Sequence, residues 1–89
     1  MEIRKKHSLP LEEVSERIRS RVPAELEKQG LKITRQGETW FEAERTGAKV
    51  KCQWDEQEVR LNIDLAWWVP VPRDTVREAL EKGLNDLLA

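Results

Sequence analysis

From Glu58 to Ala66 apolar and polar residues alternate without a break. Val59, Leu61, Ile63 and Leu65 fall on one side, and Glu58, Arg60, Asn62 and Asp64 on the other. A period of two is that of a half-buried strand. The same pattern runs from Ala48 to Trp54, with Ala48, Val50, Cys52 and Trp54 against Lys49, Lys51 and Gln53. It recurs from Thr39 to Arg45, where Phe41 and Ala43 oppose Trp40, Glu42 and Glu44, and more faintly from Leu31 to Arg35. Gln36-Gly37-Glu38, Thr46-Gly47 and Asp55-Glu56-Gln57 separate these runs as turns. At the N-terminus Ile3, Lys5 and His7 alternate with Glu2, Arg4 and Lys6. Their weak apolar side suits an edge strand.

Elsewhere the spacing lengthens to three and four residues. Leu11, Val14, Ile18, Val22 and Leu26 form one helical stripe. Ser8 is placed to cap this helix, Pro10 fits its first turn, and Gly30 follows its end. Pro23 lies inside it and predicts a kink, or two helices meeting near Val22. Asp74 is placed to cap a last helix, with Val76, Leu80, Leu84 and Leu87 facing inward.

The order is β-α-β-β-β-β-α. Short turns between consecutive strands imply an antiparallel meander, dry on one face and charged on the other. The two helical stripes require the same dry face. The predicted fold is therefore a single α+β domain over residues 1–89, in two layers. Its antiparallel sheet has four to five strands, and both helices lie on one face. The pattern does not say which sheet edge takes the first strand.

Leu65 to Pro72 breaks every period. It carries no charge in a chain that is 37% charged, and holds two of the four tryptophans. Val69 and Val71 each precede a proline, which favours extended backbone. In such a segment neighbouring side chains diverge, so Trp67 and Trp68 are not both expected to point inward. Trp67, Trp68, Val69 and Val71 form the candidate interaction surface.

Net charge is −1 with both signs interspersed, so bulk electrostatics favours neither nucleic acid nor an acidic membrane as partner. One cysteine excludes an intrachain disulfide and fits a reducing compartment. No run approaches the ~20 apolar residues of a membrane span, and the basic N-terminus leads into no apolar signal segment. A cytoplasmic protein is expected.

Catalytic candidates are few. His7, the single histidine, is either a general base or a strand-end residue that hydrogen-bonds the following helix start. The second reading is preferred, because a base needs a nucleophile or an orienting partner in known geometry. Cys52 alternates into the core face, where a thiol is inert. One His and one Cys supply no recognised metal spacing. Lys49, Lys51 and Arg60 share the wet face with Glu42, Glu44, Glu58 and Asp64, which points to cross-strand charge pairing rather than an anion site. No catalytic, cofactor-binding or metal residue is assigned, and an enzyme is the least expected class.

Ile3-Arg4-Lys5-Lys6-His7-Ser8-Leu9, the Gly37-Glu38-Thr39 turn leading to Phe41, and Glu44-Arg45-Thr46-Gly47 carry a resemblance. With Val59 to Leu65, an apolar segment and a terminal amphipathic helix, they are similar to the polyhydroxyalkanoic acid system family of small bacterial proteins. The likeness covers nearly the whole chain and consists of spacing rather than a catalytic motif. Pro23 and the aromatic, proline-rich Trp67–Pro72 segment depart from the family pattern. The resemblance implies a non-enzymatic accessory role in polyhydroxyalkanoate synthesis or storage, with the granule or a granule-associated protein as partner. Two alternatives stand beside it: a small hydrophobic-ligand carrier of helix-grip type, and a homodimeric interaction module.

Overall fold

A computed structural model describes residues Met1–Ala89. Five strands form one antiparallel sheet: β1 (Glu2–Lys6), β2 (Lys32–Gln36), β3 (Trp40–Arg45), β4 (Ala48–Trp54) and β5 (Glu58–Leu65). Their spatial order is β1-β5-β4-β3-β2. The first strand thus takes the edge beside β5, with Ile3 opposite Leu61. Helix α1 (Leu11–Lys28) connects the two edges, and α2 (Arg73–Leu88) ends the chain.

The alternation seen along each strand becomes continuous rows across the sheet. Ile3, Leu61, Cys52 and Phe41 are successive cross-strand neighbours, as are Ile63, Val50 and Ala43. Both rows are buried in one core with Val14, Ile18 and Leu26 of α1 and Leu84 and Leu87 of α2. Two helices therefore cover one face of the sheet. Leu31 adds to the core, and Ile33 packs against it. Between Ile33 and Arg35 a bulge shifts the register of β2 against β3.

Pro23 does not divide α1, which runs as a single helix of 18 residues. Topology supplies the reason. Crossing from the β1 edge to the β2 edge spans four inter-strand gaps, roughly 19 Å. An 18-residue helix is about 27 Å long. A break at Val22 would cut the connection midway, while its buried anchors Val14, Ile18 and Leu26 lie on both sides of the proline. The proline frees the carbonyl of Arg19, a residue on the exposed side of the helix where water can serve it.

Neither helix starts with the expected side-chain cap. Pro10 and Pro72 occupy the cap positions, and no side-chain hydrogen bond closes either end. Ser8 lies outside the helix, and Asp74 falls within the first turn of α2, where its charge still suits the helix dipole. Proline fixes the entry φ near the helical value at both positions, and its carbonyl accepts the first helical bond, from Val14 in α1 and from Val76 in α2.

Gly83 sits inside α2, and a Cβ there would meet nothing within 4 Å. Glycine in a helix interior costs about 0.5–1 kcal/mol relative to alanine. Gly83→Ala should therefore raise unfolding stability by about that amount in urea titration, with unchanged m-value. A loss of stability would contradict the open surroundings of this position.

Candidate functional site

The uncharged stretch opens with a tight turn over residues 66–69. Ala66 leaves β5 and donates its N–H to the carbonyl of Gly47 at 2.9 Å, and Val69 donates to Ala66 at 3.1 Å. Trp67 and Trp68 occupy the corners of the turn so closed. Trp67 is 91% exposed, Trp68 53% and Val71 45%, and these are the exposed large hydrophobic residues of the chain. Val69 is half-buried. All four residues of the candidate surface thus meet at the end of the sheet where β5 gives way to α2. The turn precedes the prolines, and beyond it the backbone is extended at Pro72, with φ −60° and ψ 129°.

Gly47 seats this turn. Its φ of +83° is the left-handed conformation that side chains disfavour. A Cβ there would also lie 2.8 Å from Cη2 of Trp68 and 2.9 Å from Cγ2 of Val69. The β3–β4 hairpin needs glycine for its turn, and Trp68 needs it for close approach. Thr46-Gly47 was legible as a hairpin signal, but nothing in the sequence links position 47 to position 68.

His7 lies at the opposite end of the sheet. Its Nδ1 accepts the N–H of Leu9 at 3.1 Å, and its Nε2 is 2.8 Å from the carbonyl of Asp55. Accepting at Nδ1 leaves Nε2 to carry the proton and donate. The ring ties β1 and the entry to α1 onto the β4–β5 turn, as the strand-end reading expected. Within that turn the Asp55 carboxylate accepts the N–H groups of Gln57 and Glu58 at 2.7 and 2.8 Å. These bonds hold its pKa below the ordinary value, helped by the charge of Arg60.

Cys52 is fully buried among apolar neighbours, and burial pushes its thiol up to about 12. It is inert at neutral pH. No three His, Cys, Asp or Glu side chains are placed to hold a metal ion.

The wet face of the sheet alternates in sign from strand to strand. One row reads Lys32, Glu44, Lys49, Asp64, and the next Arg35, Glu42, Lys51, Asn62, Glu2. Lys49 pairs with Glu44 at 3.4 Å. Arg4 and Arg60 face each other across β1 and β5. Arg4 is paired with Glu2, and Arg60 lies 3.2 Å from Glu58 and 3.9 Å from Asp55. Trp40 is half-buried, with the Lys51 ammonium 5.5 Å from its ring. Lys49 is thus engaged across strands, Arg4 and Arg60 within their own strands, and Lys51 by an aromatic ring.

An open groove beside α1 is lined by Ser15, Glu16, Arg19, Glu38 and Thr39, with Leu11 its one hydrophobic residue. Trp54 donates Nε1–H to Ser15 Oγ at 2.8 Å. Arg19 bridges it to the carbonyls of Gly37 and Glu38. The groove lies away from α2, where a helix-grip carrier would hold its ligand. Between the sheet and the second half of α2, Leu84 and Leu87 complete the core.

No helix is long and apolar enough to cross a membrane. Compared with known protein families, with curated proteins and with solved structures, the chain shows no match.

Gly47→Ala should destabilise the fold by about 1–3 kcal/mol through backbone strain and displacement of Trp68. The check is chemical denaturation together with Trp68 indole NMR shifts, and an unmoved Trp68 would refute the seat. Asp55 has a depressed pKa, so its contribution is present above the unfolded value of about 3.9 and lost as pH falls through the folded one. Asp55→Ala should lower Tm at pH 7, with the gap to the parent closing below about pH 4. A gap independent of pH would exclude the carboxylate as its source.

Proposed function

We propose that the protein is a non-enzymatic accessory of polyhydroxyalkanoate synthesis or storage. It contacts the granule, or a protein on the granule surface, through the turn bearing Trp67 and Trp68. The family resemblance supports the biology. The observation that carries the mechanism is that the exposed large hydrophobics, Trp67, Trp68 and Val71, fall within five residues of one turn.

The chemistry of that turn suits an apolar surface under water. An indole is apolar across its ring and keeps a polar N–H for the wet side. Pro70 and Pro72 remove two backbone donors that would otherwise lose their water on contact. The turn is closed by the bond from Val69 to Ala66 and tied to the sheet by that from Ala66 to Gly47, so little ordering entropy opposes docking.

Size separates this reading from dimerisation. Two indoles and a valine at these exposures offer on the order of 400 Å². A standard interface buries about 800 Å² on each partner. A dimer through this turn alone falls short of that area, whereas a continuous apolar surface needs no complementary partner.

Binding to polyhydroxyalkanoate particles, measured by co-sedimentation and by a blue shift of tryptophan emission, tests the proposal. The parent should partition to the particles, and Trp67→Ala with Trp68→Ala should reduce binding at least tenfold while thermal unfolding stays within a few degrees. Undiminished partitioning of the double variant would sink the mechanism.

A further inference from the structure

Helix α2 is held unevenly along its length. Leu84 and Leu87 are buried in the core. Arg17 latches this end, donating to the carbonyls of Leu87 at 3.1 Å and Ala89 at 2.9 Å. From Arg73 to Gly83 no residue is buried, and only Val76 and Leu80 are half-buried. Arg73 reaches the carbonyl of Leu65 at 3.5 Å, and Arg77 that of Glu2 at 3.4 Å, both at the long end of hydrogen bonding. A small cleft lined by Met1, Ile63, Leu65 and Arg73 lies under the first turn.

The boundary between the loose half and the anchored half is Gly83. Packing gives no reason for a glycine there, since a Cβ would meet open space. What glycine brings is a point where the helix opens more readily than at any other residue but proline.

We propose that residues 66–82 form one docking segment hinged at Gly83. The tryptophan turn makes first contact. The first half of α2 then leaves the sheet and lays Val76 and Leu80 beside Trp67, Trp68 and Val71 on the same surface. The occupant is the apolar face of a polyester particle, so the inference rests on the function proposed above. The convex turn offers a surface to press against rather than a groove for a peptide. Arg73 and Arg77 border the Val76–Leu80 stripe, as their bonds to the sheet carbonyls require. Arginine stems can lie along an apolar surface while their heads stay in water. Release exchanges two long hydrogen bonds and two half-buried side chains for a larger apolar contact.

Hydrogen exchange of the free protein gives the first test. Amides of residues 77–82 should exchange faster than those of 84–88, a gradient opposite to ordinary fraying from the chain end. Uniform protection along α2 would overturn the hinge. The second test uses polyhydroxyalkanoate particles and Gly83→Ala. This variant should slow exchange at 77–82 and weaken particle binding, each about fivefold, the equivalent of roughly 1 kcal/mol of helix propensity. If Gly83→Ala binds as the parent does while Trp67→Ala with Trp68→Ala does not bind, the hinge falls and the docking turn stands. If the tryptophan variant binds undiminished, the docking turn falls and the hinge falls with it.

Discussion

The sheet has one dry face, and the rest of the molecule follows from covering it. Five strands place Ile3, Leu61, Cys52 and Phe41 in one apolar row and Ile63, Val50 and Ala43 in another. No single helix shields that width. Helix α1 crosses from one edge to the other and contributes Val14, Ile18 and Leu26, and α2 contributes Leu84 and Leu87. The crossing explains why the first strand lies at the far edge from β2, and why Pro23 is carried inside a continuous helix. Short chains are marginal because they bury a small share of their surface. Here the core is one contiguous cluster with no buried charged residue.

Much of this was legible because the signals were periodic. Val59, Leu61 and Ile63 announced β5, and Val14 and Ile18 announced α1, because alternation and helical stripes are local properties read within one element. The edge position of the first strand was half-legible in its charged composition. Contacts between distant residues were not. Pro23 read as a breaker because local propensity was weighed without the buried anchors on both sides of it. Ser8 and Asp74 read as caps because Pro10 was credited only with fitting a first turn and Pro72 only with extending the chain before it. Trp67, Trp68, Val69 and Val71 stood out as a group because they are uncharged and adjacent, but the turn that carries them did not. The turn depends on Gly47, whose carbonyl and missing Cβ act on residues some twenty positions away.

The two faces of the sheet also divide the electrostatics. On the wet face basic and acidic residues alternate from β2 to β4, and where Arg4 faces Arg60 each pairs with a carboxylate on its own strand. His7 and Asp55 work as ties at one end, joining β1, the entry to α1 and the β4–β5 turn. With charge balanced and polar groups engaged in holding turns, the least compensated feature is apolar. It sits at the other end, where the β3–β4 turn, the end of β5 and the start of α2 meet.

The bulge in β2 bears on crowding. An edge strand offers unpaired backbone groups to any neighbour. β2 is such an edge, and the shift between Ile33 and Arg35 breaks the regular spacing that an incoming strand would need. Lys32 and Arg35 add like charges that would oppose a second copy of the same edge. The β2 edge is therefore a poor template for a second copy of the chain.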